Sequence, residues 1–411
     1  MKTLVVGGGG REHALTWKLA QEGEVVAAPG NAGMASVARC EDVPVTDHQA
    51  ILQLASREQP DLIVVGPEDP LIAGLADILR ESGFAVFGPG RAGAQLEGSK
   101  AFSKALMREA GVPTAGFETF TNAEDAHAYV TSRAAARVVK ASGAALGKGV
   151  IVADSEAEAH EAVEEMLVEV AFGEAGKTIV IEDRLTGPEF SLLTLCSKGS
   201  FRSLPVAQDH KRVLDGDRGP NTGGMGSFSP IDTVTFDLIS QAENLMVRPI
   251  LKALESRGIE FRGVLFTGLL IQEGTPYCLE YNVRFGDPEI QSVIRRIGRG
   301  FPEALLACAK GAPIPEIEIL DNAAVSVCIA SGGYPGSYEK GKTITVNPLP
   351  QGVEVFHAGT AEKEGHLVTN GGRVFAVSAT GKNVADARIL AYQGVEAIQF
   401  EGAYHRKDIA K

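Results

Sequence analysis

The sequence predicts a multidomain chain of mixed α/β and α+β class, and three observations carry that expectation. Over roughly the first hundred residues, short apolar runs alternate with helical patterns, as βαβ units with a mostly parallel sheet require. Between 263 and 282 two apolar runs flank Gly274-Thr275, the pattern of a β-hairpin. Past Pro315 the chain changes to short strand patterns with Gly turns and one closing helix, which reads as a small α+β unit.

Composition narrows the function classes. With 411 residues, 44% apolar and 22% charged, the chain has room for roughly two to four domains and a large core. A net charge of −13 argues against a nucleic-acid binder, which needs a basic stripe to displace counterions. Any anionic ligand must then be held by local Lys, Arg and backbone N–H groups. No apolar run is long enough to span a bilayer, and the five cysteines include no Cys-x-x-Cys pair, so neither a membrane anchor, a disulfide framework nor a zinc site is indicated. The first residues run straight into a strand-like segment without a targeting pattern, as expected of a cytoplasmic protein.

In the N-terminal part, strands are expected at 4–6, 25–28, 62–65 and 85–87, with helices at 14–21, after Thr46 and at 71–81. Ligands of such sheets bind at the carboxyl edge, where the loops 7–13, 29–33 and 66–70 stand. The first is not a dinucleotide fingerprint, because Glu12 stands where the third glycine would fall. Backbone N–H groups opening a helix there would suit one phosphate; the same glycines could also simply make a tight turn.

A helix at 99–110 ends at Gly111-Val-Pro113 and carries Lys100 and Lys104 four apart, a spacing that solvated lysines also show. Strands follow within 137–152, joined by a small-residue loop with Lys148. No Lys-Ser or Lys-Thr pair opens a helix after it, so it is no Walker motif and reads instead as a mobile flap. Lys140, on the strand feeding the flap, needs an anion partner if half-buried. A helix at 155–170 and a strand at 178–183 come next. The stretch 208–226 reads as a long polar, Gly-rich loop, functional because Asp209, Arg212 and Asn221 offer convergent polar groups. A helix at 235–257 precedes the hairpin. In the last part, strands are expected at 323–329, 342–346, 353–358, 366–370 and 373–379 and a helix at 384–397, with the loop Ser331-Gly-Gly-Tyr-Pro335 suspected of touching ligand.

The second strand of the hairpin runs into 277–289, where the chemistry concentrates. If extended, it points Glu280, Asn282 and Arg284 to one face and Tyr281 and Val283 to the other. A carboxylate and an amide oxygen two residues apart suit a hard divalent cation that leaves positions open for phosphate, and Arg284 can grip an anion with its fork. A solvated edge strand would give the same alternation.

Taken together, the motifs resemble those of the glycinamide ribonucleotide synthetases, the phosphoribosylamine–glycine ligases of the ATP-grasp superfamily. The resemblance spans nearly the whole chain: Gly-Gly-Arg-Glu-His at 9–13, Pro-Gly-Asn at 29–31, Gly-Pro-Glu at 66–68, Gly-Lys-Gly-Val at 147–150, Gln-Asp-His-Lys-Arg at 208–212, Gly-Pro-Asn-Thr-Gly-Gly-Met-Gly at 219–226, Arg-Phe-Gly-Asp-Pro-Glu at 284–289 and His-Ala-Gly-Thr at 357–360. The flap places Leu146 differently from the family's usual Gly-Leu-Ala-Ala-Gly-Lys-Gly, Arg184 stands where an aromatic is common and Val283 where Cys is common; none of these removes a charged or metal-binding group.

The resemblance implies an N-terminal Rossmann-like domain at 1–98, an ATP-grasp domain at 99–320 with a mobile lid subdomain at 119–190, and a C-terminal α+β domain at 321–411. It implies ATP-dependent joining of glycine to 5-phosphoribosylamine through a glycyl phosphate, by a monomer. Lys104, Lys140, Lys148, Glu182 and Glu189 would bind ATP, with Glu182 near the adenine edge and Glu189 near the ribose. Glu280 and Asn282 would hold Mg²⁺ or Mn²⁺. Asp209 and Arg284 would orient glycine, with Lys148 catalytic beside them, and Gly9, Glu12, Asn31, Pro67 and Glu68 would hold the phosphosugar. Another ATP-grasp carboxylate–amine ligase of purine metabolism, or a non-catalytic nucleotide-binding protein, are the alternatives.

Overall fold

Strands Lys2–Gly7, Glu24–Pro29, Arg39–Cys40, Leu62–Val65 and Val86–Phe87 form one parallel sheet. Its spatial order is Arg39–Cys40, Glu24–Pro29, Lys2–Gly7, Leu62–Val65, Val86–Phe87. The order reverses between the first and fourth strands, and such a switch point opens a crevice at their carboxyl ends. There the loops after Gly7 and Val65 lie side by side, tied by the Gly66 N–H to the Val6 carbonyl at 2.9 Å. Along Leu4, Val5 and Val6 successive side chains feed opposite cores, so the run is apolar throughout instead of alternating. The structure, a computed structural model, describes residues 1–143, 149–169 and 173–411.

Several boundaries differ from expectation, each for a local reason. The first helix is Gly10–Leu19 and starts earlier than its apolar pattern, because the Glu12 carboxylate reaches back to the Gly9 N–H at 2.7 Å and caps the end. The helix expected at 71–81 is two, Glu68–Ile72 and Leu75–Glu81, separated at Gly74 with φ +94°. A helix not foreseen, Arg91–Gly98, runs up to Ser99, whose Oγ accepts the Phe102 N–H and caps Lys100–Ala110.

Two antiparallel sheets follow. Strands Phe117–Phe120, Ile179–Asp183, Ala136–Ala141 and Val150–Val152, in that order, form the first, with helices Ala123–Ser132 and Glu156–Val163 on it. Its core of Ala126, Val130, Val139, Ala159, Val163, Met166 and Ile181 is separate from the others. The flap expected at 143–149, with Lys148, lies outside the described residues except at its ends. The second sheet is ordered Ser200–Ser203, Glu189–Ser197, Gly263–Gln272, Thr275–Asn282, and the expected hairpin forms its far edge.

The segment 208–226 is not the structureless loop anticipated. Arg212–Leu214 pairs with Arg218–Asn221 as a two-stranded ribbon, while Gln208–Asp209 and Gly226–Ser229 join strands Ala323–Ala330, Arg373–Gly381 and Val353–His357 in the last large sheet. Backbone N–H and C=O groups leaving water must pair, and along Gly226–Ser229 the sheet supplies the partners; the ribbon stays largely exposed. Helix Val384–Glu396 packs on this sheet, burying Ala387, Ala391 and Val395.

Candidate active site

Between the two antiparallel sheets lies a cleft of about 760 Å³. The hairpin positions its floor. Gly268 pairs with Glu280 and Phe266 with Asn282, while an irregularity after Gly268 shifts the register of the outer half. Tyr281, between them, is 2% exposed and donates its hydroxyl to the Met246 carbonyl at 3.0 Å, which anchors the strand from behind. Glu280 and Asn282 are thereby left facing the cleft. The Asn282 amide donates to Glu280 Oε1 at 3.4 Å and accepts from Arg284 Nη2 at 3.3 Å; both contacts are long, so little opposes turning its oxygen toward a cation. Burial works against the Glu280 charge, but Lys140, Lys211 and Lys100 outweigh it and hold the carboxyl below its ordinary range. Among the described residues no three His, Cys, Asp or Glu side chains converge on one point. The pair therefore fits a cation that takes its remaining ligands from phosphate oxygens and water.

A second group comes from the lid sheet and the helix Lys100–Ala110. Lys104 Nζ stands 2.9 Å from one oxygen of Glu182 and Lys140 Nζ 2.8 Å from the other, with Glu182 only 2% exposed. Lys140 has the anion partner its burial demanded. The lysines share a carboxylate yet shift oppositely: burial depresses Lys104, whereas Lys140 also faces Glu280, and the two carboxylates raise it against burial. Glu182, expected at the adenine edge, thus faces a lysine with each oxygen, Oε2 hydrogen-bonded to Lys104 and Oε1 paired with Lys140 by charge alone. Lys100, which the spacing argument treated as ordinary, lines the cleft with them.

The third group lies where the second sheet meets the ribbon. Lys211 Nζ pairs with Glu189 Oε2 at 2.6 Å, and Asp209 lines the same wall. Glu289 is 4% exposed and accepts a hydrogen bond from Ser191 Oγ at 3.0 Å; burial first and the charge of Asp209 second push its carboxyl up to about 7. Burial raises Asp209 as well, opposed by Lys211.

Of the residues singled out from sequence, Glu68, Lys104, Lys140, Glu182, Glu189, Asp209, Glu280, Asn282 and Arg284 line this one cleft. Gly9, Glu12, Asn31 and Pro67 do not; they stand at the crevice of the N-terminal sheet. Glu12 holds the Gly9 N–H and pairs with Arg11 Nε at 2.6 Å. The Asn31 amide donates to the Gly8 and His357 carbonyls at 2.9 and 2.8 Å, and its oxygen accepts from Gly33 and Met34. Asn31 therefore ties the loop 29–33 to the last domain's His-Ala-Gly-Thr turn. The His357 N–H donates to His13 Nδ1 at 2.8 Å, which puts the His13 proton on Nε2, and burial lowers that ring's pKa to about 3. The Ser331-Gly-Gly-Tyr-Pro335 loop does not line the cleft; it reaches it at second hand, the Tyr334 hydroxyl accepting the Gly223 N–H at 3.0 Å. Sequence reasoning passed over Glu97, Lys100, Lys211 and Glu289. Lys211 and Glu289 sit inside quoted motifs and were within reach; Glu97 carries no local signal.

Two antiparallel sheets closing on a cleft lined by lysines and acids define the ATP-grasp class. A biotin carboxylase domain of the Hydrogenobacter thermophilus 2-oxoglutarate carboxylase, crystallised with MgADP, shares the fold at a TM-score of 0.75 and 20% identity, over 98% of this chain and 91% of that one. The models of the phosphoribosylglycinamide synthetase N domain, ATP-grasp (A) domain and C domain match residues 1–97, 98–290 and 324–411. A phosphoribosylamine–glycine ligase of Nostoc sp. is 46% identical over all of this chain and 99% of its own length. The crystal structure of the Thermotoga maritima phosphoribosylamine–glycine ligase superposes with a TM-score of 0.87 at 37% identity, covering both chains in full. The chain belongs to the phosphoribosylglycinamide synthetase family.

Proposed function

We infer that this protein uses ATP to join glycine to 5-phosphoribosylamine, giving glycinamide ribonucleotide, ADP and phosphate through a glycyl phosphate, a step of de novo purine biosynthesis. The observation that carries it is the gathering of Lys100, Lys104, Lys140, Glu280, Asn282 and Arg284 in one cleft. A carboxylate is a poor electrophile, so it must first be phosphorylated, and phosphoryl transfer needs positioning and charge neutralisation more than covalent help.

Lys104 and Lys140 supply fixed positive charge from one wall. Glu280 and Asn282 would hold a divalent cation, Mg²⁺ or Mn²⁺, which neutralises phosphate charge when bound. Arg284 presents its fork to the glycine carboxylate and Asp209 faces the ammonium. When the amine attacks the acyl phosphate it must lose a proton, and the carboxylate of Glu289, which lines the same cleft and whose pKa is raised to about 7, is assigned to take it. Glu182 and Glu189 are assigned to the adenosine side, with Glu182 acting through the lysines it grips. Glu68, which lines the cleft, is assigned to the phosphosugar together with Gly9, Glu12, Asn31 and Pro67, at the crevice of the first sheet. There Glu12 already takes the Gly9 N–H, so Glu12 and Asn31 serve by holding the loop in shape. Lys148 keeps its proposed role at the phosphates, on sequence alone.

We assign the domains as 1–98, 99–320 with a lid subdomain at 119–190, and 321–411, supported by the separate N-terminal and lid sheets and by the lid's own core, while strands Gln208–Asp209 and Gly226–Ser229 of the middle segment pair into the last domain's sheet. The protein is taken as a cytoplasmic monomer acting on small molecules, without nucleic acid or membrane; among the described residues no helix is long and apolar enough to cross a bilayer.

Oxygen labelling tests the reaction. Glycine carrying heavy oxygen in its carboxylate transfers one labelled oxygen per turnover to inorganic phosphate and none to ADP, and phosphate release requires glycine and the phosphosugar amine together. Label in AMP, or unlabelled phosphate during productive turnover, overturns the acyl-phosphate route.

A further inference from the structure

Arg284 does not stand alone on the cleft floor. Glu97, at the end of helix Arg91–Gly98, uses its two oxygens for two tasks: Oε1 lies 3.0 Å from Arg284 Nη2, and Oε2 accepts the Val283 N–H at 2.7 Å. One side chain thus holds both the guanidinium and the backbone unit just before it. The Glu97 side chain is 11% exposed and that of Arg284 19%, so the pair is poorly screened by water. On its other side Arg284 Nε faces Glu68 Oε2 at 3.5 Å, too far for a hydrogen bond, and this buried N–H is left without an acceptor. The same Glu68 oxygen lies 3.7 Å from Arg11 Nη1. Nη2 also reaches Asn282 Oδ1 at 3.3 Å and Nη1 the Phe285 carbonyl at 3.4 Å, both long, so Glu97 is the shortest hold on a guanidinium whose Nε–H stays unspent, a fork with weak partners that a second anion can replace.

We propose that Glu97 is a positioning residue for the amino-acid carboxylate subsite: it sets the plane and direction of the Arg284 fork, through a helix that belongs to neither antiparallel sheet. This rests on the reading of Arg284 as the group that takes the glycine carboxylate. A purely structural Glu97 would need only its bond to the Val283 N–H, which a neutral amide oxygen can also accept. The charge toward Arg284 is the part that serves binding.

Glu97→Gln separates the two tasks, since it keeps the size and the acceptor for Val283 and removes the charge. The expected result is a rise of about tenfold in KM for glycine, with KM for ATP changed less than about twofold. Glu97→Asp keeps the charge on a shorter arm, and its glycine KM should fall between wild type and Glu97→Gln. If Glu97 acts through Arg284, then Glu97→Gln should change glycine KM little further in an Arg284→Lys background, where the planar fork is gone. Thermal midpoints of all variants report folding separately. Additive effects of the two substitutions, or equal changes in KM for glycine and ATP, overturn the inference. An Arg284→Lys protein with wild-type glycine KM overturns the reading of Arg284 instead, and a changed Arg284→Lys beside an unchanged Glu97→Gln rejects Glu97 alone.

Discussion

Glu289 shows how far a single buried carboxyl departs from its ordinary behaviour. Its ordinary pKa of 4.5 rises to about 7 in the fold, through burial and through the nearby Asp209. Between those two values the folded chain keeps a proton that the unfolded chain has released, so its contribution to stability falls as pH rises through that window. Glu289→Gln cannot ionise and should lose that part of the pH dependence. Thermal unfolding at pH 5 and pH 8 is the check: the variant should gain on wild type at the higher pH, and equal losses in both proteins would reject the raised pKa. Activity should fall in the variant at every pH if the residue takes the amine proton.

Among the elements, the ribbon Arg212–Leu214 and Arg218–Asn221 depends on a segment nearly two hundred residues away. Arg406, 1% exposed, donates to Asp217 Oδ1 at 2.7 Å and to the Arg212 carbonyl at 3.0 Å. Asp408 grips Arg406 at 2.7 and 2.8 Å and also accepts the Gly216 N–H at 2.7 Å; these partners outweigh burial and hold its carboxyl well below the usual range. Because Arg212, Asp217 and Asn221 line the cleft, the chain's last residues fix one of its walls. Asp408→Asn weakens the clamp without emptying the space. Amide exchange over 212–221 should quicken by about tenfold while the hairpin at Gly263–Gln272 stays protected, and glycine KM should rise severalfold. Unchanged exchange in the ribbon would mean that the strand pairing alone holds it.

At the scale of the molecule, two large cores run through the N-terminal and central parts together: Leu4, Val6 and Val26 share one with Leu265, Leu269 and Tyr281. The lid sheet has its own smaller core. These parts should therefore differ in how they open. Met166→Ala, at a site 0% exposed, should cost about 2–5 kcal/mol in the lid. Exchange should quicken across Ala123–Ser132 and Glu156–Val163 and leave Lys2–Gly7 unaffected. A uniform change in both would show one cooperative unit and set aside the separate lid.

What sequence alone determined follows from local physics. Period-two alternation put Glu280 and Asn282 on one face, an apolar run surrounded by helices meant a buried parallel strand, and Lys140 on a strand demanded an anion. Motifs in order along the chain were enough to name the family. Helix ends were less legible, because the Glu12 cap and the break at Gly74 depend on backbone geometry that apolar spacing does not encode. Only the tertiary structure decided which charged and polar groups meet. Glu182 finds Lys104, Glu97 finds Arg284, Asn31 finds His357 and Asp408 finds the ribbon across separations of 78, 187, 326 and about 190 residues. Charge interactions act through distance in space and degree of burial, and neither is written in the spacing of residues along the chain.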